Sequence, residues 1–158
     1  MTNPIHETYG NRLRVRACGI CIHESKLLLV RHNYLSTTGF WSPPGGGIEF
    51  EEPAASCIKR EFREETGLEV NVGDFLFACE FIRSPLHGIE LFFHVTLSGG
   101  TLITGYDPEM TAENRVILEV KFMDWNEIKA VPAASLHGVL SLVDELHQLP
   151  DLRGYFRI

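Results

Sequence analysis

Three glutamates, Glu61, Glu64 and Glu65, crowd a stretch between Pro53 and Gly67, shortly after the glycines Gly45-Gly46-Gly47. Carboxylates one helical turn apart can reach one cation. Glycine backbone can approach a ligand closely because no Cβ intervenes. Carboxylate oxygens suit Mg²⁺ or Mn²⁺, and Mg²⁺ typically shares its shell with phosphate oxygens and water. The chemistry open to such a set is displacement at phosphorus by an activated water.

A helix must carry these side chains. Pro53 suits its first turn and Gly67 its C-terminal cap. At about 100° per residue, Ala54, Ala55, Ile58 and Phe62 form one apolar arc. Glu65 projects inside that arc, Glu61 lies beside it and Glu64 a little further round. Like charges at this spacing cost roughly 0.2–0.5 kcal/mol per pair, and a carboxylate facing the core costs far more unless something positive meets it. A divalent cation would settle both problems. Taken alone, the helix is more readily read as a solvated Glu-rich face with Arg and Lys partners.

The wider spacing separates these readings. Gly46, Glu52, Arg60, Glu61, Phe62, Glu64, Glu65, Gly67 and Leu68 match the order Gly, five residues, Glu, seven residues, then Arg-Glu-apolar-any-Glu-Glu-any-Gly-apolar. This segment resembles the Nudix box, the signature of the Nudix hydrolase family, with no departure. The resemblance implies an α/β/α sandwich around a central mixed sheet. It also implies hydrolysis of a phosphoanhydride bond in a nucleoside diphosphate linked to another moiety, with Mg²⁺ (or Mn²⁺) as cofactor.

By resemblance, Glu61 and Glu65 are the primary metal ligands, and Glu64 is a further ligand or the water-activating base. A backbone carbonyl at Gly45 or Gly46 would add another ligand. Glu52 is a supporting residue, and Arg60 pairs with a box glutamate to hold loop to helix. In the family the base often lies outside the box, which brings in Glu109, Glu113 and Glu119. Exposed surface glutamate is the plainer reading of each. Arg31 and Arg83 end strand-like runs and could meet phosphate, against the plainer reading of surface charge. Pro85 stands where some ADP-ribose-cleaving subfamilies carry proline, but in a turn where proline is common anyway. The substrate therefore stays open among ADP-ribose, nucleotide sugars, oxidised nucleoside triphosphates and dinucleotides.

Two further readings compete. A nucleotide-binding regulatory module would keep the fold without turnover, though such modules usually have eroded boxes. A diphosphate isomerase would need a Cys and Glu placement that is not identifiable.

Composition narrows the partners. A net charge of −7 disfavours nucleic-acid backbones and anionic membranes. It also means that a polyphosphate needs local positive charge. No run approaches the roughly 20 apolar residues of a membrane span, and the first residues do not read as a signal peptide. A cytoplasmic location is the default expectation. A homodimer is suggested only by how common dimers are among small soluble enzymes. Cys18 and Cys21 have metal-type spacing, but on a strand they point to opposite faces, so buried thiols are expected.

At 158 residues one domain is expected, residues 11–158, behind a loose arm, residues 1–10. Strands are read at Arg12–Ile22, Lys26–His32, Glu90–Leu97 and Val116–Met123, and strand pieces at Phe75–Ala78 and Glu80–Ile82. Gly45–Gly47 reads as a turn, Trp41 as support for it or a stacking surface, and 98–111 as a polar loop. Apolar residues at 136, 139, 140, 142, 143 and 146 predict an amphipathic helix over Leu136–Leu149.

Overall fold

A computed structural model describes residues 4–33, 38–105 and 116–158. The base candidates Glu109 and Glu113 lie outside the described residues.

The chain begins with α1 (Pro4–Tyr9), within the stretch expected as a loose arm. Tyr9 ties it down: it is buried, and the Arg14 guanidinium lies 4.1 Å from its ring centre, a cation–π contact. There follow β1 (Leu13–Ile20), β2 (Ile22–His23), β3 (Lys26–His32), β4 (Phe40–Ser42), β5 (Gly45–Gly47) and α2 (Ala54–Thr66). The rest comprises β6 (Leu68–Arg83), β7 (Leu86–Gly100), β8 (Ile117–Met123), α3 (Trp125–Ala130) and β9 (Gly154–Arg157). No helix among the described residues is long and apolar enough to cross a membrane.

The strands divide between two sheets. One is mixed, in the order β5-β1-β7-β6-β9, with β1 parallel to β7 and β9 parallel to β6. The other is antiparallel, β2-β3-β4 with β8 also on β3. Two apolar cores lie on opposite sides. Helix α2 buries Cys57, Ile58 and Phe62 against Ala17, Cys21 and Leu28. The second core joins Cys18, Leu27, Trp41 and Phe92 to Val139, Leu140, Leu146 and Leu149 of the C-terminal segment. The result is an α/β/α arrangement. Cys18 and Cys21 fall in different cores, as strand alternation requires. Trp41 packs in the second core, only 8 % exposed.

Three elements differ from expectation. The glycine turn is a strand: β5 pairs antiparallel with β1, Gly45 opposite Cys18 and Gly47 opposite Arg16. Glycine's weak strand preference is overridden by pairing with a distant segment. The pieces around Phe75–Ile82 belong to one long strand, and the Gly73-Asp74 region survives as register shifts between Val72 and Phe77. The helix expected over Leu136–Leu149 is absent. Instead 3₁₀ turns cover Ala133–Ser135, Gly138–Leu142 and Leu146–Asp151. His137 starts a new turn by accepting the Val139 N–H, and the Leu136 backbone bridges to Trp41. With three residues per turn, Leu140, Val143, Leu146 and Leu149 still reach the core.

Candidate active site

Helix α2 is the platform. Pro53 is its extended N-cap (φ −63°, ψ 143°), and Gly67 closes it in the left-handed region (φ 72°), its N–H bonded to the Arg63 carbonyl. Cys57, Ile58, Phe62, Glu65 and Thr66 are its buried residues. Ala55, placed on the apolar arc by helical periodicity, is exposed, and Cys57 takes up the buried face instead.

Arg60 gathers the carboxylates. Its Nε and Nη2 donate to the two oxygens of Glu52 at 2.8 and 2.9 Å. Its Nη1 donates to Glu61 Oε1 at 2.7 Å and lies 3.5 Å from Glu64 Oε2. Nη2 also reaches the Gly47 carbonyl at 3.2 Å, so one side chain joins the loop, the helix and the glycine strand. Glu52 further accepts the Glu49 N–H at 3.0 Å. Hydrogen bonds from Arg60 hold the Glu52 carboxyl below the usual carboxylate range. Burial pushes the Glu61 carboxyl the other way, upward, against the pull of Arg60. Three carboxylates around one guanidinium leave a formal charge of −2 (three minus one).

Glu65 stands on the buried face, only 6 % exposed. Its Oε2 accepts the Gly45 N–H at 3.1 Å, and its Oε1 lies 4.0 Å from His32 Nε2. Burial, and then the positive charge of Arg16, pushes the His32 imidazole down to about 3, so this ring is neutral near neutral pH. Gly46 backs directly onto Glu61, and any Cβ there would collide with the Glu61 carboxylate. The glycine therefore lets strand and carboxylate share one place.

Divalent-cation chemistry fits this donor set. Carboxylates with an uncompensated charge of −2 beside glycine carbonyls are oxygen donors for a hard ion. As arranged, no three His, Cys, Asp or Glu side chains among the described residues are gathered around one point. Arg60 stands between Glu61 and Glu64 and would have to yield them. The Gly45 carbonyl accepts Arg16 Nη2 at 3.0 Å, while the Gly46 carbonyl faces the β1 ladder opposite Ala17 and lies 3.5 Å from the Cys57 thiol.

The family model for the NUDIX domain matches residues 12–141. This chain belongs to the Nudix hydrolase family. It is 30 % identical over 112 residues to an ADP-ribose pyrophosphatase of Methanocaldococcus jannaschii, an alignment covering 70 % of this chain and 61 % of that protein. It is 26 % identical over 136 residues to a MutT-like protein of Streptomyces ambofaciens, covering 78 % of this chain and 84 % of that one. Among solved structures, a UDP-X diphosphatase superposes with a TM-score of 0.66 at 18 % identity, covering 95 % of this chain and 70 % of that one.

In this Nudix domain, Glu52, Arg60, Glu61 and Glu64 form one cluster, and Glu65 joins it through the Gly45 backbone. Glu119 and Arg31 stand apart from it. They pair with each other at 3.0 Å across β8 and β3. Val120 and Phe122 pack toward α2 while Met123 joins the other core, so strand alternation turns Glu119 away from the box. Arg31 also lies over Trp41. Arg83 is exposed at the end of β6.

Four residues beside the box escaped the sequence reading: Arg16, His32, Glu90 and His137. With Phe40 and Phe81, among others, they line a cavity of about 40 Å³. One signal was available. Glu90 interrupts the apolar run Ile89–Val95, and a carboxylate inside a buried strand requires a partner.

Proposed function

We propose that this Nudix domain hydrolyses a phosphoanhydride bond in a nucleoside diphosphate linked to another moiety, and that Mg²⁺, or Mn²⁺ in its place, is the cofactor. The observation that carries the reading is the cluster of Glu52, Glu61 and Glu64 around a single Arg60, its excess negative charge set against a glycine strand.

Glu61, Glu64 and Glu65 would hold the cation, with a carbonyl of the glycine strand. Both candidate carbonyls have partners already, Gly45 in Arg16 and Gly46 in the β1 ladder opposite Ala17. When bound, the ion supplies charge neutralisation for the diphosphate and a lowered pKa for water. The remaining work falls to side chains. Glu64 is the better exposed of the box acids, at 22 % of its side chain against 7 % for Glu65, so it can take a proton from water and release it to solvent. Arg60 keeps its two bonds to Glu52 and so holds the loop preceding α2 in register with the helix. Glu61, whose carboxyl is pushed up by burial, becomes a better anion once a cation replaces the share of Arg60 that it loses. Glu119 is already committed to Arg31, which counts against it as an outside base.

The named relatives differ in substrate, so the proposal stops at nucleoside diphosphate derivatives. The test incubates purified protein and Mg²⁺ with ADP-ribose, nucleotide sugars, nucleoside triphosphates and dinucleotides, and resolves products by chromatography. Release of a nucleoside monophosphate or of pyrophosphate supports the reading. Saturable binding with no product from any member of the panel points instead to a regulatory module.

A further inference from the structure

A partly buried chain of polar contacts reaches the box from the C-terminal side of the sheet. It starts at the C-terminal segment, where His137 Nδ1 accepts the Val139 N–H at 3.2 Å. That leaves the proton of the neutral ring on Nε2, which donates to Glu90 Oε2 at 2.6 Å. Both side chains are only 4 % exposed. The ring is held flat against Phe81, 5.8 Å between centroids, with Phe40 and Phe92 presenting edges to it. The other oxygen of Glu90 lies 3.6 Å from Arg16 Nη1. Arg16 Nη2 then donates to the Gly45 carbonyl at 3.0 Å, and the Gly45 N–H donates to Glu65 Oε2 at 3.1 Å. Gly45 is thus gripped through both of its flanking peptides, by a cation on one side and a carboxylate on the other.

We propose that Glu90 is a positioning residue of the hydrolytic site: through Arg16 it fixes the Gly45 backbone, and Gly45 in turn orients the Glu65 carboxylate. This rests on Glu65 acting in the site as proposed above. The physical case is that β5 consists only of glycines. Without side chains it has no packing of its own to set its height over α2, so its position depends on β1 pairing and on polar contacts, those of Arg60 and Cys57 at Gly46 and Gly47 and these at Gly45. A glutamate between an arginine and an aromatic-clamped histidine has little freedom, and neither does the guanidinium it holds. A misplacement of about 1 Å at a reacting group can cost about 10²-fold in rate.

Glu90→Gln keeps the side chain's shape and a bond to His137 but removes the charge that holds Arg16. It is expected to lower kcat by roughly 30- to 100-fold, with KM within about threefold and a Tm close to wild type. In the metal-free protein, exchange of the Gly45 amide, read by NMR, should quicken about tenfold as its local opening becomes easier. Arg16→Lys should move both readouts in the same direction, and it serves as the test if Glu90→Gln does not fold. Glu80→Gln, on the same hairpin but in a surface contact with His87 and Tyr155, should move neither. An unchanged kcat overturns the proposal. So does a loss of activity that only follows a fall in folded fraction, with the Gly45 amide as protected as before. Should the wild type turn over no substrate, the hydrolase reading fails while the amide measurement still decides whether Glu90 controls Gly45.

Discussion

Arg60 and Arg16 both meet glutamates beside the same glycine strand, but the two clusters are built differently. Around Arg60 stand Glu52, Glu61 and Glu64, their side chains 14–22 % exposed, and the formal charge does not cancel. Arg16 pairs with Glu90, which is 4 % exposed and closed off by His137, one charge of each sign. An excess of negative charge near water is tolerable and useful where a cation is to be bound. A balanced pair whose carboxylate is buried suits a support, because removing the arginine would strand that buried charge. On the proposed mechanism, the contrast separates residues that would do chemistry from residues that would hold them in place.

The sharpest way to break this contrast is Glu64→Gln. It should lower kcat/KM by about 10³-fold or more, about 4 kcal/mol of transition-state stabilisation, while leaving the melting temperature close to wild type, since a like-charge neighbour is removed. Activity within tenfold of wild type would take Glu64 out of the reaction. Next in size is the metal itself. Saturating Mg²⁺ should stabilise the wild type by about 2.7 kcal/mol at 100 times its Kd, read as a rise in Tm that EDTA reverses. Glu61→Gln should abolish that rise, and a rise of the same size in this variant would place the ion elsewhere.

Arg60→Lys sharpens the contrast within the metal-free protein. A lysine cannot make the two-pronged bond to Glu52, so the urea midpoint should fall by the equivalent of about 1–2 kcal/mol. An unmoved midpoint would show that the Glu52 loop is held by other means. The smallest effect near neutrality belongs to His32. Its folded value of about 3 lies below the ordinary 6.5, so the fold requires the neutral ring. Its contribution is complete above pH 6.5 and is lost as the pH falls through the window toward 3. The loss is about 0.8 kcal/mol by roughly pH 6 and about 1.4 kcal/mol for each further unit. His32→Gln should flatten that part of a stability-versus-pH curve, and a curve that keeps the same slope would assign it to other groups.

Legibility followed contact range. Gly67 was readable as a cap and Glu65 as a buried acid because both follow from positions within one helix. The spacing of Glu52 and Arg60 marked a box, and their bond spans only eight residues. The glycine strand was not readable, since Gly45-Gly46-Gly47 has the composition of a turn and becomes a strand only through pairing with β1. The apolar spacing around Leu136–Leu149 marked the right residues for burial but the wrong helix, because 3₁₀ and α periodicities differ too little over so few turns.

What the amino-acid order determined alone was local: a capped helix, its acidic face, an arginine one reach away, and the family pattern that they spell. What only the tertiary structure decided was how Arg16, Glu90 and His137, drawn from three distant segments, meet behind the glycine strand. The physical reason is that a helix sets its neighbours three and four residues apart by its own geometry. A buried ion pair has no such rule, since its partners are chosen by which strands the fold lays side by side.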